Sequence, residues 1–457
     1  MKYDLIVIGG GPAGYLASER AAHARLSTLC IEKSNIGGVC LNEGCIPTKT
    51  LLYSAKLFDG AMHSEKYGVT AQGVSIDHTK VLARKNKVVK LLTSGIRSSL
   101  KSLGVTVATG EAVLVGHSDD AIRVRVDETE YEANDVLIAT GSSAVVPPID
   151  GLSGAIESGF ACTNREILSL SEVPKRLVVI GGGVIGLEMA SYFNSIGSEV
   201  TVVEMLDHIA GENDRELSAI LQKNYERKGI RFLLNAKAQR VGDGEVLCSL
   251  GTEMLHIECD KVLLSIGRHA NTAGIGLESV GVATERGAII TDSHMRTNVP
   301  HIYAAGDVNG KSMLAHTAYR EAEVAVNNIL GVSDEMHYDA VPAVIYTNPE
   351  LASIGITEAM AESSGKPYRV VKLPMRYSGR YLAENEGGDG LFKLIVDAET
   401  QRVIGAHALC NYASEFIVSV AVMMEADMTL EQIKKVIFPH PTVCEIIREA
   451  IFQCDEQ

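Results

Sequence analysis

A β-branched apolar run followed at once by Gly-x-Gly-x-x-Gly occurs twice in this chain, as YDLIVIGGGPAG (Tyr3 to Gly14) and KRLVVIGGGVIG (Lys175 to Gly186). Each copy continues through a helical stretch into a second apolar run, TLCIEK and VTVVEM. An acidic residue arrives at the same distance both times: Glu32 lies 23 positions after Gly9, and Glu204 lies 23 after Gly181. The first glycine (Gly9, Gly181) permits a tight strand-to-helix turn, and the second (Gly11, Gly183) lets backbone N–H groups approach a pyrophosphate. The third (Gly14, Gly186) lets helix pack on strand. Glu32 and Glu204 are then placed to accept hydrogen bonds from a ribose. One such motif can be a bare turn; strand, glycines, helix, strand and carboxylate in order, twice, predict two dinucleotide-binding modules.

The copies differ in one respect. Both close on a similar strand, DVLIATGSS near Val136 and KVLLSIGRH near Val262, but 104 positions separate Glu32 from Val136 and only 58 separate Glu204 from Val262. The 46 additional residues hold GGVCLNEGCIPTK (Gly37 to Lys49) and a helical-looking stretch from Thr50 to Leu103. The first dinucleotide therefore lies beside two thiols, Cys40 and Cys45, and is expected to be a redox cofactor. In a regular helix, residues five apart have Cα atoms roughly 8.7 Å apart, whereas a disulfide needs less than about 7 Å. A bond between the two requires a distorted turn, which Gly44 permits, and a short strained loop is more reducible than a structural bridge. Two buried free cysteines remain an alternative, and a zinc site would need two further ligands that the neighbourhood does not offer. The other seven cysteines are scattered singly, as small buried hydrophobes in a reducing cell are. Lys49 follows closely, and its charge would stabilise a thiolate or a reduced flavin ring.

At 457 residues the chain exceeds one hydrophobic core, and three or four domains are expected. A formal net charge of −15 repels phosphate backbones and anionic lipid, and no Lys/Arg block is interleaved with aromatics, so nucleic-acid binding is disfavoured. No run approaches the ~20 apolar residues of a membrane span. Asp4 and the glycine triplet interrupt the N-terminal apolar run, which reads as strand and turn rather than a secretory signal, so a cytoplasmic location is expected.

Taken together and in order, the two glycine motifs, GGVCLNEGCIPTK, ATG at Ala139 to Gly141, GGGVIGLE, TNVPHIYAAGD (Thr297 to Asp307) with MLAHTA after it, and HPTVCE (His440 to Glu445) are similar to the flavin-dependent pyridine nucleotide disulfide oxidoreductases along the whole chain. The resemblance implies an α/β fold with two Rossmann-like domains and a C-terminal α+β dimerisation domain. It assigns 1–143 to FAD, 144–266 to NAD, 267–337 to a central region returning to the FAD domain, and 338–457 to dimerisation. Beyond the glycines and acidic residues, it assigns cofactor contacts to Ala112, Thr140, Gly141, Ser142 and Gly267. Asp307 would hold the flavin's ribityl chain, Met313, Leu314, Ala315 and His316 would line the flavin, and Lys49 would pair beside the ring with Glu188. Cys45 would lie against the flavin and Cys40 would exchange with substrate.

The resemblance also makes His440 the general base, which the chemistry requires because a dithiol attacks only as thiolate, with Glu445 fixing its tautomer. Pro441 is suited to opening a helix there. In the family this pair enters the active site from the neighbouring subunit, so a homodimer is expected. Two positions depart from many relatives: Phe438 stands where a histidine is common and Cys444 where a serine is.

The implied reaction reoxidises a protein-bound dihydrolipoyl group through a Cys40–Cys45 redox disulfide and FAD, with hydride passed to NAD. NAD rather than NADP follows from Glu204, since a carboxylate repels a 2′-phosphate and no arginine follows in EMLDHIAGEND. Glutathione-type reductases favour CVNVGC with NADP-binding arginines, and mercuric reductases carry a paired-cysteine tail where only Cys454 lies here. A non-catalytic NAD/FAD redox sensor would not need the His440–Glu445 element. No lipoyl-type domain is recognised ahead of the first strand, so the expected partner is a separate lipoyl-bearing protein. It would belong to a 2-oxoacid dehydrogenase, acetoin or glycine cleavage system, and the sequence does not choose among them. Nearer the C-terminus, LFKLIVD and RVIGAHAL alternate well enough for an antiparallel hairpin around AETQ, with the helix-like ASEFIVSVAVMMEAD after it.

Overall fold

A computed structural model describes residues 2–118 and 121–454, and these form two compact units. One comprises 1–50, 79–146 and 267–337; the other comprises 51–78, 147–266 and 338–457.

The first unit is built on β1 (Lys2–Ile8), α1 (Pro12–His23) and β2 (Thr28–Glu32). After β2 the chain runs through α2 (Gly38–Glu43), α3 (Cys45–Met62) and the 25-residue α4 (His78–Ser102). It returns through β3 (Thr106–Thr109), β4 (Ala112–Ser118), β5 (Ala121–Val126) and β6 (Thr129–Ile138). The sheet order is β3-β2-β1-β6-β5-β4, with β1, β2, β3 and β6 parallel and β4-β5-β6 an antiparallel meander. The later strand Ile302–Ala304 pairs parallel with the end of β6, Ile302 opposite Val136. Leu5 to Ile8 and Leu29 to Ile31 are buried without interruption, which is how a parallel sheet covered on both faces reads.

The second unit repeats the parallel module. Strands Arg176–Ile180, Glu199–Val203, Arg231–Leu233, Lys261–Leu264 and Ala161–Cys162 pair in parallel, and helix Val184–Ser195 follows the glycines. The unit also holds a five-stranded antiparallel sheet in which Leu391–Asp397 and Val403–Cys410 form the expected hairpin. Helix Ala413–Glu425 packs on that sheet; Met423 is buried in its core and Met424 rests against it, so both serve packing.

Within this unit the Lys393 side chain, 2% exposed, reaches Asp214 (2.8 and 2.9 Å), Glu358 (2.8 Å) and Glu216 (3.0 Å). Asp214 also caps helix Arg215–Arg227, so one ammonium ties the nucleotide module to the antiparallel sheet. Desolvation works against the Lys393 charge, but the three carboxylates outweigh it and hold its pKa above the usual value. A group raised in this way contributes stability that is fully present below the ordinary lysine range and lost as pH rises through the raised value. Lys393→Ala strands a buried carboxylate and is expected to cost about 3–5 kcal/mol, measured by urea unfolding of the holoprotein. A change below about 1 kcal/mol would mean that the cluster does not hold the unit together.

Candidate active site and dinucleotide cradles

The two glycine turns are stereochemical copies. At Gly14 an added Cβ would lie 1.7 Å from the Gly9 carbonyl oxygen, and at Gly186 it would lie 2.1 Å from that of Gly181. No side chain larger than hydrogen fits either place, so the third glycine is dictated by the approach of the helix to its own strand turn. Helices Pro12–His23 and Val184–Ser195 start at Gly11 and Gly183 with no side-chain cap. Their first-turn N–H groups and the positive end of the helix dipole thus face the pyrophosphate position. The acidic residues match as well. Glu32 accepts from the amides of Gly10 (2.7 Å) and Ser34 (2.7 Å), and Glu204 accepts from Gly182 (2.7 Å) and Leu206 (2.8 Å). A carboxylate has about four acceptor sites, so each retains capacity for a ribose hydroxyl while already bracing its glycine loop.

The thiol pair sits where the helix breaks. Cys40 lies in α2 and Cys45 opens α3, and between them Gly44 leaves helical geometry at φ −145°, ψ −109°. A Cβ there would stand 3.1 Å from the Val39 carbonyl oxygen, tighter than ordinary contact. The break overcomes the separation that a regular helix would impose, and the two half-buried thiols come within hydrogen-bonding range. That hydrogen bond pushes the Cys40 thiol up, and burial and the neighbouring sulfur add to it, while the Lys49 charge pulls the other way. The reduced pair therefore shares a proton between its two sulfurs, and an external base is needed to accept protons from an incoming dithiol.

Further along the same unit, Ser142 donates a hydrogen bond to Asp307 and receives one from Arg268 Nε (2.7 Å). Thr140 Oγ1 donates to the Asn271 carbonyl (2.7 Å), Asn271 N donates to Gly141 O (2.9 Å), and Val145 N donates to Gly267 O (3.0 Å). Thus Thr140, Gly141, Ser142, Gly267 and Asp307 are drawn together by Arg268 and Asn271, neither of which sequence reasoning selected. Their nearness to Gly267 in GRHAN was the available signal. Leu314 precedes helix Ala315–Ile329, with Met313 and His316 exposed at its start. Ala112 opens β4 two residues after Gly110, whose amide donates to the Glu32 carbonyl (3.1 Å).

In the second unit Glu188 is buried on helix Val184–Ser195 and accepts from the Tyr346 amide (3.0 Å), a partner not anticipated. His440 Nδ1 contacts both oxygens of Glu445 (3.0 and 3.2 Å), and Glu445 also accepts from Thr442 N (2.8 Å). Pro441 does not open a helix as its sequence context suggested. It follows a cis bond, and the helix begins at Glu445. Burial alone would raise the Glu445 carboxyl, but the Thr442 amide and His440 outweigh it and hold it below the usual carboxylate range. The carboxylate fixes the proton on Nδ1 and leaves Nε2 of the exposed imidazole as a base.

The family description Pyridine nucleotide-disulphide oxidoreductase matches residues 3–322, and the dimerisation domain of that family matches 341–451. The chain is 39% identical to dihydrolipoyl dehydrogenase from Chlamydia muridarum, over 98% of this chain and 96% of the relative. It is also 39% identical to mitochondrial dihydrolipoyl dehydrogenase from Pisum sativum, over 98% and 90%. Among solved structures, LpdA from Mycobacterium tuberculosis superposes with a TM-score of 0.90 at 29% identity, covering 98% of this chain and 99% of that one.

Proposed function

Because the chain belongs to the pyridine nucleotide-disulphide oxidoreductase family, we propose that it oxidises protein-bound dihydrolipoyl groups with FAD as resident cofactor and NAD as acceptor. The observation that carries this reading is the thiol pair brought together across the Gly44 break, on the chain segment that follows the first glycine module. When bound, FAD would supply two-electron acceptance from the dithiol and hydride donation to NAD. Gly9, Gly11, Gly14, Glu32, Thr140, Ser142 and Asp307 would hold FAD, and Gly181, Gly183, Gly186 and Glu204 would hold NAD.

His440, held by Glu445, removes a proton from one substrate thiol. The thiolate attacks Sγ of Cys40, the Cys40–Cys45 bond breaks, and Cys45 leaves as thiolate beside Lys49. The second substrate thiol then attacks the substrate sulfur of the mixed disulfide, its proton passing to the departing Cys40 sulfur, so the substrate leaves oxidised by two electrons and the protein holds Cys40 as thiol, Cys45 as thiolate and the first proton on His440. The C-terminal dimerisation domain supports a homodimer, and in this reading the His440–Glu445 pair serves the cysteines of the partner subunit. The division at 143, 266 and 337 belongs to the same reading. So does a cytoplasmic location with a lipoyl-bearing partner from a 2-oxoacid dehydrogenase, acetoin or glycine cleavage system. Among the described residues no helix is long and apolar enough to cross a membrane.

The test is NAD-dependent oxidation of dihydrolipoamide measured beside reduction of glutathione disulfide and mercuric ion. Turnover confined to dihydrolipoamide is expected, and a preference for either of the others would overturn the assignment. Glu204→Arg removes the acceptor of two backbone amides and places a cation at the ribose end of the second cradle. Two bonds to a charged acceptor at roughly 1.5 kcal/mol each correspond to about a 100-fold fall in kcat/KM for NAD, with NADP improving. An unchanged NAD-to-NADP preference in steady-state kinetics would remove Glu204 from cofactor choice.

A further inference from the structure

In a chain of formal charge −15, α4 carries seven Lys or Arg and no Asp or Glu over His78–Ser102. The basic residues are not spread evenly around it. Lys80, Arg84, Lys87, Leu91 and Ser94 recur at intervals of three or four residues, Lys101 follows two turns further on, and a 3.6-residue turn aligns the six along one stripe. All six are exposed, Leu91 by 71%, and exposed Lys90 and Arg97 flank them. Among the described residues Lys87, Lys90, Arg97 and Lys101 have no carboxylate partner. The other side of the helix faces the chemistry. Leu100 belongs to a core cluster with Tyr15 and Leu41, and Ile96, Cys40 and Ile46 pack against that same cluster. The stripe is thus the outer surface of the helix whose inner surface supports the reactive thiol.

We propose that this outer face of α4 is the docking surface for an acidic lipoyl-bearing protein. The inference rests on the dihydrolipoyl reading above and adds to it what recognises the carrier rather than the dithiol. A chain of net charge −15 repels an acidic partner on average, whereas a face that bears cations and no carboxylates attracts it, so the stripe steers such a partner to the helix that packs on the cluster with Cys40. Exposed Leu91, in the middle of the charged row, supplies an apolar contact once the surfaces meet.

The test uses the holoenzyme and two synthetic peptides, each carrying one dihydrolipoyl-lysine, flanked by glutamates in one and by glutamines in the other, with free dihydrolipoamide as the reference. The wild type should prefer the glutamate peptide by roughly 10-fold in kcat/KM at low ionic strength, and the preference should shrink as added salt shortens the Debye length toward ~8 Å. Combining Lys87→Glu, Lys90→Glu and Lys101→Glu should erase or invert that preference while leaving turnover of free dihydrolipoamide within about 2-fold. A variant that keeps the wild-type preference overturns the proposal. So does one that loses activity equally with all three substrates, or one whose oligomer changes mass in solution, which would make the stripe a contact between copies. Failure of the wild type to oxidise free dihydrolipoamide would instead overturn the functional reading, and the docking surface with it.

Discussion

Cys45→Ser is expected to leave a yellow, flavin-loaded protein that no longer oxidises dihydrolipoamide, with a loss of at least ~10³-fold, on the order of 4 kcal/mol of barrier. The serine hydroxyl preserves the size and polarity of the group opening α3 and can still hydrogen-bond Cys40, so the helix break at Gly44 and the cradle formed by Gly9, Gly11 and Gly14 are untouched. What disappears is the second sulfur, and without it Cys40 has no internal partner to re-form a disulfide and pass electrons onward. Oxidation of NADH by an artificial acceptor that takes electrons directly from the flavin should keep its rate, because that half-reaction uses the Glu204 cradle. Retained oxidation of dihydrolipoamide would remove the pair from the mechanism. Loss of flavin would make the substitution structural, and Cys40→Ser would then have to supply the separation of the two half-reactions.

His440→Gln should lower kcat/KM for dihydrolipoamide by about 10²–10⁴-fold, the range spanned by a positioned general base, again with NADH oxidation by an artificial acceptor unchanged. Glutamine can still donate a hydrogen bond to Glu445, so Thr442 and the start of the last helix keep their contacts. The pH profile distinguishes the roles. Glu445 is held below the ordinary carboxylate range, so the support it lends the imidazole is present above that range and is lost only as pH falls through the lowered value. The wild-type rate should therefore fall only as pH drops through that lowered value, and in the glutamine variant, which has no imidazole for Glu445 to orient, that acid limb should vanish. A variant that loses rate but keeps the wild-type acid limb would show that another group accepts the proton.

The two cradles were legible because their requirements are local. A glycine that must clear the carbonyl five residues before it, and a carboxylate that ends the next strand, are demands of one turn and one strand, and spacing alone records them. The thiol pair was legible in the same way, since the need for a break between Cys40 and Cys45 follows from helix geometry and Gly44 is the residue that allows it. Pro441 was misread because local propensity placed a helix start where the loop instead carries His440 back to Glu445. Arg268 and Asn271 were overlooked because nearness to Gly267 was their one local signal; the pairing of segment 268–270 with 142–144 is what brings them to the Asp307 group.

By itself the sequence determined the twofold use of a nucleotide module and the placement of a close thiol pair on the first copy, and its resemblance to a family pointed to His440 and Glu445. Each of these is encoded by residues of one strand–helix–strand module or one short loop. Tertiary structure alone decided which distant segments complete each sheet, as Ile302–Ala304 does on β6, and which buried charges meet, as Lys393 does with Asp214 and Glu358. It also decided that α4 turns its apolar side to the cluster holding Cys40 and leaves its cationic stripe in water. The physical reason is that backbone sterics act over a few residues and leave their mark in order and spacing. Burial and long-range pairing depend on which surfaces the folded chain brings together, and no local pattern records that.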